Sequence, residues 1–400
     1  MGTLTLPACP SVCVPSNGYR YRDTLPLMRV LIVTTWLATR SHPATGAFVV
    51  KDARAIADAG HEVAIIHLVP PSQLAGTGCA ALGSEASATD GLPITRIVMS
   101  TTSPRQIAAA GRKLARLTAG ADLVHTMAFS TLLPMAWWRP EAPWVHTEHW
   151  SGIASPHLLP KSWRAVMPWL KPLLSRPDVV TAVCDYLLRP ITDVRGESLA
   201  VVVPCIVPAP ENIVPRRTDP DPVRLVSIGG LVDGKDPLMA LETVAELARR
   251  DVHTRLRWVG EGPLHERVQQ RAEELGISQA VTLTGTLDRA GVLAELAAAD
   301  LFLGPTRGDN FFVSCAEALR SGRPVVVGAT GGQGEYIDTC VGLCVAEHIA
   351  PAYADAVQEV LRMTKGLSAE AISATLGNAF DPEEVAMGYQ RAYDLALAAR

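Results

Sequence analysis

"VPCIVPAPENIVPRRTDPDPV", residues 203–223, divides this 400-residue chain into two halves. Proline recurs from Pro204 to Pro222, and each one fixes φ and removes a backbone donor. The stretch therefore cannot run through a helix interior or a central strand. On either side the sequence alternates between short apolar runs and amphipathic segments. Upstream lie "MRVLIVTTW", the helical "VVKDARAIADAG" with Val50, Ala53, Ile56 and Ala57 on one face and Gly60 as its cap, then "HEVAIIHLV", "ADLVHTMA", "PWVHTEH", "DVVTAVC" and "LAVVVP". Downstream the pattern restarts with "RLVSIGG", "PLMALETVAELARR" and "TRLRWVGEG", and continues through "LHERVQQRAEELG", "AVTLTGTL", "AGVLAELAAA", "DLFLGP", "FFVSCAEALRSG" and "PVVVGA". Near-continuous apolar strands alternating with helices predict parallel sheets covered on both faces. The expected fold class is α/β, with two doubly wound Rossmann-like domains, residues 28–205 and 222–375, facing a cleft. Residues 206–221 form the linker, 376–400 a closing amphipathic helix, and 1–27 a disordered extension.

Composition narrows the function. Hydrophobic residues make up 48% and charged residues 19%, enough for two large cores. The net charge of -4, with no basic block, argues against a nucleic-acid partner. Eight cysteines in no framework pattern read as reduced thiols and a cytoplasmic location. No apolar run approaches the roughly 20 residues of a membrane span, and the first 27 residues lack the features of a secretory signal. Cys340, Cys344 and His348 have a spacing that could hold a metal, but Cys344 reads better as a small strand residue in "VGLCVAEH". His125, His146, His149 and Glu148 come from two strands without an i, i+4 helical pair, so no zinc site is expected. "VLIVTTWLAT" contains no glycine, which argues against a dinucleotide dehydrogenase.

The stretch "RGDNFFVSCAEALRSGRPVVVGATGGQGEY", residues 307–336, gathers acids and glycines. Asp309 and Asn310 are both good N-cap types for a helix over "FFVSCAEALRSG", with Gly322 ending it. Two readings stand for Asp309 and Glu317: a cap and a surface charge, or two carboxylates projecting to a similar side of the cleft. "GATGGQGEY" has the form of a turn whose backbone N–H groups can approach a phosphate.

From Met28 onward the chain resembles a retaining glycosyltransferase of the two-Rossmann-domain (GT-B) type, family four. The resemblance is carried by "GHEVAII" (60–66), "HTEHWSG" (146–152), "LVSIGGLVDGKDP" (225–237), "VGEGPLHERV" (259–268) and the acid pair separated by seven residues, Asp309 and Glu317. It implies that Glu317 holds the donor ribose and that Asp309 lies near the transferred sugar. Lys235 would neutralise the diphosphate, and Gly331, Gly332 and Glu335 would hold sugar and phosphate. Gly46 would close a loop over the diphosphate, His149 would approach the reacting sugar, and Glu148 and Trp150 would line the acceptor side. The expected donor is a UDP- or GDP-type sugar, with no further cofactor and no metal.

Two sensitive positions depart from the family pattern, and a third, Cys205, departs to a smaller degree. Gly230 stands where the family has arginine, removing a guanidinium clamp that Arg307 could replace. Asp309 is one methylene shorter than the family's glutamate, and Cys205 replaces a frequent asparagine. The expected acceptor is a small soluble metabolite of the natural-product type. The alternatives are a lipid-linked or polysaccharide acceptor, or a non-catalytic nucleotide-binding subunit; an epimerase on the same architecture is a third. Six of the eight tryptophans (137, 138, 144, 150, 163 and 169) fall close together. They are open to three readings: core packing, a membrane-surface patch with Lys161, Arg164 and Lys171, or an aromatic acceptor wall around Trp150.

Overall fold

A computed structural model describes residues 27–39, 45–74, 91–156, 159–196 and 198–400. The extension assigned to residues 1–27 lies, except for Leu27, outside the described residues.

The first sheet contains β1 (Arg29–Thr34), β2 (Glu62–Val69), β3 (Ile94–Val98), β4 (Leu123–Met127), β5 (Trp144–Glu148), β6 (Val179–Ala182) and β7 (Ala200–Val202). Their spatial order is β3-β2-β1-β4-β5-β6-β7, every pair parallel. The second contains β8 (Val223–Ile228), β9 (Thr254–Val259), β10 (Val281–Gly285), β11 (Leu301–Gly304), β12 (Val325–Gly328) and β13 (Gly342–Val345), ordered β10-β9-β8-β11-β12-β13 and likewise parallel. In each sheet the order reverses beside its first strand, between β1 and β4 and between β8 and β11. A crevice opens at such a switch point, outside the carboxyl ends of the strands. This is the two-domain Rossmann-like GT-B architecture.

The central strands are buried on both faces: β4, β5, β6, β11 and β12 contain no exposed residue. That burial explains the apolar runs at β11 and β12, while the polar residues buried in β4 and β5 (His125, Thr126, His146, Thr147 and Glu148) are hydrogen-bonded. The closing helix, Pro382–Ala398, returns to the first domain, where Val385, Tyr389, Ala392 and Tyr393 share a core with Val30, Ile32, Val49 and Ile56. Its tyrosines are tied in by hydroxyl bonds: Tyr389 donates to Asp52 Oδ2 at 2.9 Å, and the Tyr393 hydroxyl lies 2.8 Å from His125 Nδ1.

The helix Ala47–Asp58 turns inward the face expected from its apolar spacing, widened on one side: Ala53 and Ile56 lie in the core and Val50 and Ala57 pack against it. Val49, Asp52, Ala53, Ala55 and Ile56 are buried, while Val50 and Ala57 are only partly covered. An acid at position 52 thus takes an inner place beneath the cleft.

Candidate active site

Both domains deliver loops from the carboxyl ends of their strands, and these loops touch. Asn310 Nδ2 donates to the backbone carbonyl of His149 across the cleft at 2.8 Å. The Glu335 carboxylate accepts the N–H groups of Asp185 and Tyr186, at 2.8 and 2.7 Å, at the start of the helix Asp185–Arg195. A carboxylate there satisfies unpaired helical donors and complements the helix dipole. Both Glu335 oxygens thus join the two domains in this structure.

Gly331 and Gly332 allow the loops to approach. A side chain at Gly331 would strike Asp309 O at 2.0 Å, and one at Gly332 would strike Asn310 O at 2.1 Å and Cys184 Sγ at 2.6 Å. Gly331 also has φ 134°, which L side chains rarely adopt. The Gly332 N–H is already bonded to Asp309 O at 3.1 Å, so this donor is not turned to a phosphate.

Asp309 does not cap the helix that follows. That helix spans Val313–Arg320, and Phe312, at φ 58°, occupies the N-cap position. Asp309 Oδ1 accepts the N–H groups of Phe311 and Phe312 at 3.2 and 2.8 Å, closing a side-chain turn just ahead of the helix. Its other oxygen is paired with Lys235 Nζ, and the ammonium also lies 4.1 Å from the centroid of the Phe312 ring. Because Asp309 precedes the helix, the expectation that helical periodicity aligns it with Glu317 does not hold. Glu317 stands on the helix, half-buried, and its carboxylate takes part in no hydrogen bond or ion pair among the described residues. Burial raises its carboxyl pKa, opposed by the positive charges of Lys51 from the first domain and of Arg289. Two cations directed at an unengaged acid leave it free to accept hydroxyl donors.

Lys235 is held by the turn at the end of β8. Its stem crosses Gly229, where an added Cβ would lie 3.3–3.4 Å from the lysine's methylenes. Next to it, Asp236 caps the helix Pro237–Arg249 through the Met239 N–H, with Oδ1 accepting at 3.1 Å. Asp236 Oδ2 receives Arg307 Nε and His348 Nε2, both at 2.7 Å. Arg307 is thus anchored beside the lysine with its side chain 55% exposed. His348 turns to Asp236 and Tyr353 rather than to the cysteines. No group of three or more metal-ligating side chains converges among the described residues. Asp236 was missed from sequence, although "KDP" before a helix is itself a cap signal, and His348 was weighed only as a metal ligand.

On the acceptor side, the His149 side chain is only 7% exposed and its ring packs on Phe48 with centroids 4.3 Å apart. Its Nε2 is buried without a hydrogen bond, 3.9 Å from Asp52 Oδ2, and Asp52 Oδ1 is likewise unbonded. Burial, assisted by His146, pushes the His149 pKa down to about 3; burial pushes Asp52 up to about 7, against its bond from Tyr389. Asp52 was also missed. The signal was present, since an acid between Val49 and Ile56 falls on the inner stripe of its helix.

Glu148 does not line an acceptor pocket. It is fully buried: Oε1 accepts the N–H groups of His149 and Trp150 at 2.9 and 2.7 Å, and Oε2 lies 3.3 Å from His146 Nε2. Its role is to shape the loop that carries His149. Trp150 packs against Phe129 and Trp163, each with centroids 5.8 Å apart, and belongs to the edge of the first domain's core. His125 bonds Tyr393 and Thr147, and His146 bonds Thr126. Gly46, at φ 72°, starts the helix Ala47–Asp58, and a side chain there would meet Trp36 O at 2.1 Å. Residues 40–44 of the loop before it lie outside the described residues.

Two family models match the chain: "Glycosyltransferase Family 4" over residues 46–209 and "Glycosyl transferases group 1" over residues 222–363. Among similar proteins is a GDP-mannose-dependent α-(1-6)-phosphatidylinositol dimannoside mannosyltransferase of Mycobacterium tuberculosis, 34% identical over 143 residues. That match covers 36% of this chain and 36% of the relative, so the chain spans little more than a third of that protein. A D-inositol 3-phosphate glycosyltransferase of Corynebacterium aurimucosum is 32% identical over 141 residues, 34% of each chain. A GDP-mannose-dependent α-(1-6)-phosphatidylinositol monomannoside mannosyltransferase of M. tuberculosis is 27% identical over 276 residues, 62% of this chain and 69% of the other. Solved structures share the fold at low identity. Sucrose-phosphate synthase from Thermosynechococcus elongatus superposes with TM-score 0.72 at 18% identity, over 93% of this chain and 100% of that one. The lipopolysaccharide outer core galactosyltransferase WaaB superposes with TM-score 0.71 at 14% identity, over 91% and 99%. Each family model falls on one of the two Rossmann-like domains, and the whole-chain superpositions span both: the chain belongs to the family-four glycosyltransferases of the GT-B fold.

Proposed function

We propose that this protein transfers a hexose, with retention at the anomeric carbon, from a nucleoside-diphosphate sugar to a hydroxyl of an inositol-bearing or lipid-linked acceptor. The observation that carries the reading is the placement of Lys235, Asp309 and Glu317 at the switch point of the second sheet, across from His149 of the first. As the glycosyl–phosphate bond breaks, negative charge grows on the leaving diphosphate and positive charge on the sugar. Lys235 neutralises the first, exchanging Asp309 for phosphate oxygen, while Asp309 is left beside the second. Glu317 accepts the ribose hydroxyls. The acceptor hydroxyl attacks the anomeric carbon from the side the diphosphate leaves, and its proton passes to a leaving phosphate oxygen. His149, neutral near pH 7, supplies shape and hydrogen bonding beside the sugar rather than charge. Lysine takes the part a metal plays elsewhere, so donor binding should be unchanged by EDTA.

The relatives' names support GDP-mannose as the first donor to try and inositol-containing molecules as acceptors. They give no support to the small natural-product acceptor expected from sequence. Thermal unfolding with GDP, UDP, ADP and CDP tests the donor site. A ligand at 100 times its Kd stabilises by about 2.7 kcal/mol. A shift with one nucleotide, followed by turnover of its mannose or glucose conjugate with phosphatidylinositol mannosides or inositol phosphate, supports the reading; NMR of the product's anomeric proton reports retention. Nucleotide binding without turnover on any acceptor would favour the non-catalytic subunit, which the missing arginine at Gly230 supports.

A further inference from the structure

The first domain carries a basic, tryptophan-bearing surface that the transfer reaction does not use. Although the whole chain is acidic, residues 91–177 contain ten Lys and Arg against three acids. Of those acids, Glu148 is fully buried, Asp122 accepts the Arg29 N–H at 2.7 Å, and Glu141 lies beside Arg400, which donates to its carbonyl. The bases come from three segments that pack together. The helix Pro104–Leu117, with Arg112, Lys113 and Arg116 exposed, contacts the turn Phe129–Met135; a side chain at its Gly111 would meet Pro134 O and Trp138 Nε1. The turn contacts Lys171–Ser175, into which the helix Lys161–Leu170 runs, and Arg176 Nη2 donates to Trp138 O at 3.1 Å.

The helix Lys161–Leu170 is oriented the wrong way round for a surface facing only water. Trp163, Met167 and Leu170 face the core, yet Ser162, Ala165 and Trp169, at i, i+3 and i+7, form the outer ridge. Val166 flanks the ridge on one side, and Lys161 and Arg164 on the other. Among the described residues Trp169, 84% exposed, is the most exposed large hydrophobic side chain, and Trp137, beside Trp138 and 71% exposed, ranks third after Leu27. An indole held in water amid cations, with no acid between Glu148 and Asp178, matches the headgroup region of a bilayer. Indoles settle at that depth, and Lys and Arg meet anionic lipid there.

We propose that this face, centred on Trp169 and the helix Lys161–Leu170, docks the protein on an anionic phospholipid surface. No helix among the described residues is long and apolar enough to cross a membrane; the contact is with one leaflet's surface. A polyanion such as RNA would be drawn by the same charges, but it gives no reason for an outward ridge of alanine, valine and tryptophan.

The test needs no sugar nucleotide, so it fails or succeeds independently of the transferase reading. The full chain is sedimented with vesicles of phosphatidylcholine alone and with vesicles containing phosphatidylglycerol, at low and high salt, while tryptophan emission is recorded. Binding is expected only to the anionic vesicles, weakened by salt and accompanied by a blue shift. Each Lys or Arg near such a surface contributes roughly fivefold, so Lys161→Glu, Arg164→Glu and Lys171→Glu together should weaken binding by at least about a hundredfold. Trp169→Ser should weaken it several-fold and diminish the blue shift. All four positions are exposed or half-buried, and unchanged thermal unfolding checks that the variants fold. Absence of binding to anionic vesicles overturns the proposal, as does equal binding by the triple variant. Binding that follows charge but ignores Trp169 overturns it in favour of a general polyanion site.

Discussion

Gly230→Arg should tighten nucleoside-diphosphate binding. Gly230 follows β8 and precedes the loop that carries Lys235. Its φ lies outside the left-handed range, and an added Cβ would come no closer than 3.4 Å to Glu261 O and 3.7 Å to Val232 Cγ1. Both are ordinary contacts, so the backbone accepts a side chain there. The neighbouring Gly229 lies against the Lys235 stem, so a guanidinium starting one residue further along can reach the space above the ammonium. A charge-assisted hydrogen bond to phosphate is worth about 1.5–3 kcal/mol, and ordering an arginine costs up to about 2 kcal/mol. Two bonds from one planar fork leave a net gain of roughly 1–3 kcal/mol, or about 5- to 150-fold in Kd. Calorimetric titration of wild type and variant with GDP and UDP, at two salt concentrations, measures it. The result that refutes the reasoning is a folded variant that binds neither nucleotide more tightly. That outcome would mean the diphosphate does not lie over the β8 turn, and the placement of Lys235 at the phosphate would fall with it.

Three further outcomes follow from the same geometry. Asp309→Glu should not restore a better site: the longer side chain cannot close the turn onto Phe311 and Phe312, so stability should fall by about 1 kcal/mol in urea titrations, while Asp309→Asn should release Lys235 and tighten free diphosphate binding. Glu335→Ala, by leaving the Asp185 and Tyr186 donors to water, should cost about 1 kcal/mol and increase the radius of gyration in X-ray scattering; an unchanged radius would show that the remaining contacts, the closing helix among them, hold the domains without Glu335. Asp52→Asn should change how stability depends on pH. The Asp52 carboxyl is raised from 3.8 to about 7 in the folded protein, so its contribution is fully present below about pH 4 and is lost as pH rises through about 7. The gain of the variant over wild type should therefore grow across that window, towards about 4 kcal/mol. His125, lowered to about 3, acts in the opposite sense over an overlapping range and is common to both proteins; His149, also lowered to about 3, lies 3.9 Å from Asp52 and is coupled to it, so the double variant with His149→Gln separates the two.

The fold was readable where burial is symmetric. Strands covered on both faces are mostly apolar, as β12 shows; β4 and β5 begin with apolar pairs and then bury His125, His146, Thr147 and Glu148, each held by hydrogen bonds. β3 escaped notice because it is an edge strand: only Ile97 of Ile94–Val98 is buried, so its residues carry no unbroken apolar signal. The helix Lys161–Leu170 escaped for a different reason. Pro160 ahead of it and Pro168 inside it read as breaks, although its ten residues carry a helical pattern.

The site was readable in kind but not in contact. Sequence spacing gave Asp309 and Glu317 a common direction by treating both as helical, whereas the chain between them leaves the helix at Phe312, whose φ of 58° no propensity at that position foretells. What holds Phe312 there is the carboxylate of Asp309 itself, accepting two N–H groups that a following helix would otherwise leave open. An aspartate can do this and a glutamate, one methylene longer, cannot do it at the same spacing. The shorter acid therefore need not mark a weakened enzyme. It fixes the Phe312 ring beneath Lys235 and keeps its second oxygen on the ammonium, so that the lysine is held in place at the end of β8. The loss of arginine at Gly230 has no such local account, which makes it the departure whose reversal tells most about the donor.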